Sequence, residues 1–154
     1  MYKLRVANID DAKLLFDWAN DNDVRATAII KKKIEWEDHL NWLIGKLQSP
    51  QSHIYILTEG DDNIGMVRFD KNDDTFIISY SVDKLHRKKG MGLFILQLGI
   101  KKISESEPHC NFKASVQIDN TASNKIFEKL GFSLEKEELI EGHIFNVYCK
   151  YRNE

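Results

Sequence analysis

The 154 residues are 42% hydrophobic and 30% charged, which excludes a disordered chain and fits one domain spanning residues 1–154, with a core of its own. A net charge of −2 argues against a general nucleic-acid binder, and no apolar run is long enough to cross a membrane. Cys110 and Cys149 have no metal-ligand spacing and read as reduced structural thiols. With no leader before the first strand-like segment, the expected location is cytoplasmic and no metal is expected.

Residues 2–7 alternate weakly, as a first strand. Asn8 to Asp10 offer a helix cap, and Asp10 and Asp11 suit the positive end of the helix that follows. Leu14, Leu15 and Trp18 mark its buried stripe. Asn20-Asp21-Asn22-Asp23 is turn chemistry that ends it, and residues 24–33 are irregular and basic. Residues 34–47 form a second helix, with Trp36, Leu40, Leu43 and Leu47 on one face. Glu35, His39 and Trp42 fall together on a neighbouring face. That group is either a partly exposed helix side with one ion pair or the wall of a substrate site. Residues 53–59 and 64–70 are strands joined by the turn Gly60-Asp61-Asp62-Asn63.

The next stretch organises the rest. Phe76, Ile78, Tyr80 and Val82 alternate with Ile77, Ser79 and Ser81, which is strand periodicity. A long apolar helix follows from Met91. Between them lies Arg87-Lys88-Lys89-Gly90-Met91-Gly92. A strand, a basic loop with glycines and a helix start can cradle a phosphate, since the helix N-terminus offers free N–H groups and a positive dipole end. The same residues also read as a plain helix entry with surface lysines. Three-glycine and Gly-Lys-Ser/Thr fingerprints are both lacking. Residues 112–118 are strand-like. Asn120 caps an amphipathic helix with Ala122, Ile126 and Leu130 inward, Gly131 ends it, and residues 132–141 and 143–151 form a hairpin around Gly142. The order β-α-α-β-β-β-α-β-α-β-β predicts an α/β fold with a mixed, mostly antiparallel sheet flanked by helices. A parallel crossover over residues 75–118 and a splayed central strand pair would leave a cleft for an extended ligand.

Two motifs carry a resemblance. Arg87-x-x-Gly90-x-Gly92 after a strand resembles the acetyl-CoA pyrophosphate loop of the GCN5-related N-acetyltransferases. Val116 to Phe132, a strand end followed by Asn120 and ending Glu128-Lys129-Leu130-Gly131-Phe132, resembles the second signature of the same family. The resemblance implies an acetyl-CoA-dependent N-acetyltransferase. It implies that the backbone of Ser81 and Val82 pairs with the pantetheine arm. Arg87, Lys88 and Lys89 add charge, and the amides of Lys88, Lys89, Gly90, Met91, Gly92 and Leu93 hold the pyrophosphate. Asn120 and Asn124 contact the arm, and Lys125 or Lys129 reaches the ribose phosphate. Phe127 departs from the pattern, because many members carry there a tyrosine that protonates the leaving thiolate. A thiol with a pKa of about 8.5 tolerates unaided departure. The alternatives are that another group is the acid, or that the domain binds CoA without turnover.

The N-terminal half, with Trp18 to Arg25, His39-Leu40-Asn41-Trp42 and Ile64 to Asp70, resembles the family branch that acetylates UDP-linked 4-amino-4,6-dideoxy sugars, as in pseudaminic acid biosynthesis. Ribosomal-protein N-terminal acetyltransferases share a similar His-x-x-Trp helix, so a peptide amine is the alternative acceptor. His39, Glu35 and Glu59 are the candidate bases, and Tyr80 is the candidate acid. The Val82 N–H is the candidate donor to the acetyl oxygen. Arg25, Arg68 and the run Lys31, Lys32 and Lys33 are the candidate diphosphate contacts. Asn20 joins them on the acceptor side. Trp18 and Trp42 could stack on a base or sugar, although Trp18 suits the core better. A homodimer is compatible with the family.

Overall fold

Strand periodicity and turn chemistry lay down a single seven-stranded sheet. In the computed structural model, which describes residues 1–152, its strands are β1 (Tyr2–Val6), β2 (Ser52–Glu59), β3 (Asp62–Asn72), β4 (Thr75–Val82), β5 (Asn111–Gln117), β6 (Ser133–Ile140) and β7 (His143–Lys150). They lie in the order β1-β2-β3-β4-β5-β7-β6. Every neighbouring pair is antiparallel except β4 and β5, as the crossover pattern predicts. That fold is the mixed, mostly antiparallel sheet expected from the element order.

Helices cover both faces: α1 (Ala12–Ala19), α2 (Asn22–Thr27), α3 (Trp36–Gln48), α4 (Met91–Ser106) and α5 (Thr121–Lys129). On one face Ile95, Leu96, Ile100 and Ile103 of α4 and Phe127 of α5 pack on Val67, Phe69, Phe76, Phe112 and Tyr148. On the other, Leu15 and Trp18 of α1 and Leu43 of α3 pack on Ile54, Ile56 and Met66. Each fully buried aliphatic or aromatic side chain contributes about 1.5–3 kcal/mol, so both layers hold the sheet. Gly99 lets α4 settle on β3, since a Cβ there would stand 2.9 Å from Phe69.

Two local expectations are corrected. The segment 20–23 does turn the chain, but Asp21 also caps a new helix, accepting from Asp23 N–H at 3.0 Å and Val24 N–H at 3.2 Å, so α2 starts inside the expected loop. In α5 the inward residues are Ser123, Asn124 and Phe127 while Ala122 is exposed. The apolar count favoured Ala122, but the hydrogen-bonding needs of Asn124 and the bulk of Phe127 set the helix rotation.

Candidate functional site

The site begins where β4 and β5 part. Their pairing is limited to Thr75 with Asn111, Phe76 with Phe112 and Ile77 with Lys113; beyond it the strands splay. Peptide groups alternate in direction along a strand. Asp83 N–H donates to Ile64 O at 2.8 Å, and Ser81 lies opposite Met66, so the Ser81 peptide groups are turned to β3. Those of Tyr80 and Val82 face the gap. The Val82 carbonyl there accepts from Arg87 Nε at 3.0 Å. Of the two residues expected to pair with an extended ligand, only Val82 points the right way, and it does so through its N–H.

The loop 87–90 delivers α4 to the mouth of the gap. Lys88 and Gly90 both adopt the left-handed conformation, with φ of 64° and 77°, which glycine accepts without cost. The first bond of α4 runs from Phe94 N–H to Gly90 O at 3.2 Å, and no side chain caps the helix. The amides of Met91, Gly92 and Leu93 thus lack intrahelical acceptors at a positive dipole end. A Cβ on Gly90 would meet nothing within 4 Å, whereas one on Gly92 would stand 3.0 Å from Ile126 and 3.2 Å from the Tyr80 ring. Gly90 therefore answers to backbone conformation and leaves the cradle open, while Gly92 answers to packing. Lys88 and Lys89 are exposed beside it. Arg87 is not a free charge: its Nη2 donates to Asp21 at 3.0 Å and its Nη1 to Asp23 at 3.1 Å.

On α5, Asn120 caps the helix by accepting from Ser123 N–H at 3.3 Å. Asn124 is buried and fully engaged. It donates to Gln117 O and Asn120 O at 3.1 and 2.8 Å, and accepts from Asn146 Nδ2 and Tyr148 OH at 2.9 and 2.7 Å. Lys125 and Lys129 are exposed. Phe127 is 1% exposed, its ring 5.1 Å from Phe132, 5.9 Å from Tyr148 and 6.1 Å from Tyr80. Next to it the Tyr80 hydroxyl donates to Ser123 Oγ at 2.8 Å. Burial pushes the Tyr80 phenol up, with Ser123 partly opposing it, so it stays protonated at neutral pH. Ser123 was not singled out in the sequence; its signal was the spacing Ser123 to Phe127, one residue out of phase with the apolar stripe.

The opposite face carries a strap, residues 20–35, across the open end of the gap. It is tied to the β4 side by Arg87, and just ahead of it, on α1, Trp18 Nε1 donates to Asp83 at 2.9 Å. On the β5 side the Lys31 ammonium donates to Gln117 Oε1 and to Ala28 O at 2.7 Å, with the Phe145 ring 5.7 Å away. Arg25 holds the strap's own backbone, donating to Ala19 O at 2.7 Å and Ile30 O at 2.6 Å. Asn20 brackets Ile34, donating to its O at 2.9 Å and accepting from its N–H at 2.8 Å. Lys33 bonds Asn22 at 2.8 Å and also Asn20 O. Arg25, Asn20 and Lys31 are thus spent on internal partners, and Trp18, 7% exposed, belongs to the core. For the Asp21 carboxyl, burial works upward but is outweighed by Arg87 and the Val24 and Asp23 amides, which hold it below the usual range.

The expected grouping of Glu35, His39 and Trp42 does not hold. His39 is buried, 3% exposed. Its Nε2 lies 3.0 Å from Ala12 O and its ring 5.4 Å from Phe16 and 5.8 Å from Trp42. Burial pushes its pKa down, partly offset by Ala12, and it pins α3 to α1. Glu35 is exposed ahead of α3, and Glu59 sits on β2 with β3 and β4 between it and the gap. Trp42 is half-exposed and carries Arg68 over its ring at 4.9 Å. Arg68 also donates to Asp70 at 2.8 Å and Ser79 at 3.2 Å. No cluster of three His, Cys, Asp or Glu able to hold a metal occurs among the described residues, and no helix there is long and apolar enough to cross a membrane.

The family model described as an acetyltransferase (GNAT) domain matches residues 3–133. Acetyltransferase PseH of Campylobacter jejuni is 28% identical over 138 residues, covering 89% of this chain and 86% of that one. Among solved structures, the RimL ribosomal L7/L12 α-N-protein acetyltransferase in complex with coenzyme A superposes with a TM-score of 0.83 at 19% identity, covering 97% of this chain and 93% of that one. The spermidine N-acetyltransferase of Vibrio cholerae in complex with CoA and spermine does so with 0.88 at 12% identity, over 99% and 96%.

Proposed function

The chain belongs to the GNAT acetyltransferase family and uses acetyl-CoA, and we propose that its acceptor is the 4-amino group of a UDP-linked amino-deoxy sugar. The observation that carries this is the charge of the acceptor-side face. Phe76, Ile78, Phe112, Ala114 and Val116 are turned to the α4 core, so on the strands flanking the gap the opposite face shows Ile77, Ser79, Ser81, Lys113, Ser115 and Gln117, none acidic. Asp70, on the same face of β3, is already taken by Arg68 at 2.8 Å, Lys46 at 2.9 Å and Ser52 at 2.8 Å. Two cations, Arg68 and Lys46, face the single Asp70 carboxylate, and with Lys113 they leave this part of the sheet face positive. It suits a diphosphate and offers a polycationic amine no free carboxylate there. The half-exposed Trp42 gives a surface for a base or sugar ring. The 28% likeness to PseH supports the same acceptor class.

The residues of the gap fit the cosubstrate: uncapped amides at the start of α4 suit the pyrophosphate, and the splayed strands leave edge groups for an extended arm. Acetyl-CoA supplies an acetyl group activated as a thioester. The Val82 N–H, facing the gap, donates to a carbonyl oxygen there. With Phe127 sealed in the core, the proton donor of this reading is the Tyr80 hydroxyl, held protonated by burial; its O–H, which rests on Ser123 Oγ, turns to the leaving sulfur. Asn120 and the exposed lysines Lys88, Lys89 and Lys125 complete the cofactor side.

Thiol release from acetyl-CoA, followed with DTNB, tests this against UDP-linked amino sugars, N-terminal peptides and spermidine, with Gly90→Glu as the control that fills the cradle with negative charge. Turnover with the nucleotide sugars and not the others is expected. Preferred turnover of peptides or spermidine would overturn the acceptor assignment.

A further inference from the structure

We propose that Arg87 is a positioning residue that ties the cofactor loop to the acceptor-side strap, so that order in the loop is passed to residues 20–35. This rests on the acetyltransferase reading above. The basic loop led one to expect a free cation for phosphate, but each of the three guanidinium nitrogens already donates once: Nε to Val82 O at 3.0 Å, Nη2 to Asp21 at 3.0 Å and Nη1 to Asp23 at 3.1 Å. A phosphate arriving at the cradle meets a guanidinium whose charge two carboxylates already answer; exposed Lys88 and Lys89 are better placed to supply attraction.

The partners matter as much as the count. Val82 O lies on the last residue of β4, at the gap. Asp21 is the cap of α2 and gives one carboxylate oxygen both to that helix and to Arg87. One side chain therefore joins the strand edge, the start of the cofactor loop and the first turn of the strap. Just ahead of the strap, at the end of α1, Trp18 holds Asp83, one residue beyond Val82, so the helix that delivers the strap is anchored to the same connector. The Arg87–Asp21 contact is mostly shielded, with side-chain exposures of 27% and 18%, while Asp23 is exposed at 87%, so Asp21 is the principal partner.

The test is amide hydrogen exchange of residues 20–35, with and without CoA, in the parent protein, Arg87→Ala and Asp21→Asn, alongside CoA affinity by calorimetry. Asparagine keeps the helix cap and removes only the charge. Both variants should raise exchange in the strap by about two- to fivefold without ligand. The further slowing that CoA produces in the parent should disappear in both, while CoA affinity changes by less than about threefold. Two results overturn the proposal. In one, Asp21→Asn exchanges like the parent. In the other, Arg87→Ala alone loses about tenfold or more in CoA affinity, the mark of a phosphate ligand. Failure of the parent itself to bind CoA would instead refute the acetyltransferase reading, and the ligand-free exchange would still decide whether Arg87 holds the strap.

Discussion

Replacing Gly65 by alanine should damage both stability and cofactor binding, whereas the same change at Gly45 should not. A Cβ on Gly65 would sit 2.5 Å from the Ser81 carbonyl oxygen and 3.2 Å from Val82 Cα. Both are backbone atoms of β4, locked in the ladder with β3, so no side chain can rotate away. Real contacts essentially never fall below 3.0 Å, so the strands must part by at least about half an ångström, at a cost of roughly 1–3 kcal/mol. For a chain of this size that is a melting-temperature drop of roughly 3–10 °C. The displaced residue is Val82, whose N–H faces the gap, so CoA affinity should fall with it. Gly45, in α3, has nothing within 4 Å of its virtual Cβ, and alanine there should add about 0.5–1 kcal/mol through helix propensity with CoA affinity unchanged. Calorimetric melting and CoA titration of both variants decide the matter. A Gly65→Ala protein that melts within about 1 °C of the parent would refute the packing argument; one that melts early yet binds CoA normally would refute the role given to Val82.

Tyr80→Phe removes the donor to Ser123 and should lower kcat by about 10²-fold with the acetyl-CoA KM unchanged; its stability loss, read by urea unfolding, should be only about 1 kcal/mol. Asn124→Ala leaves Tyr148 OH and Asn146 Nδ2 without their acceptor, so urea unfolding should register a loss of about 2–4 kcal/mol, making it a stability variant before it is a CoA variant. His39 titrates lower in the folded protein than its ordinary value of about 6.5, because it is buried. Its contribution is therefore complete above that value and lost as pH falls, since the unfolded chain takes the proton first. Urea midpoints measured between pH 7 and 5.5 should fall more steeply in the parent than in His39→Gln.

The gap and its cradle were legible because their signals are local: alternation in β4, left-handed glycine before α4, an asparagine cap on α5. What escaped the sequence was the employment of polar side chains by distant partners. Arg87 looked like a phosphate cation until Asp21, 66 positions away, claimed it. Arg25, Asn20 and Lys31 looked like acceptor contacts, and each closes the strap on itself or on Gln117. Asn124 looked like a ligand to the pantetheine arm and is a buried junction. His39 was placed one helix face out because Trp36 and Trp42, both large and apolar, are the half-exposed residues of α3 while the imidazole goes inside. Such assignments depend on which surface α3 and α5 turn to their neighbours, which periodicity alone fixes only to within one residue.

The most direct measurement is kcat/KM for acetyl transfer to a UDP-linked 4-amino sugar beside the same amino sugar without its nucleotide. A positive acceptor face with Trp42 and Arg68 beside it predicts a preference of about 100-fold or more for the nucleotide-linked form. Equal rates for the two, or faster acetylation of spermidine or of peptide amino termini, would contradict the assignment.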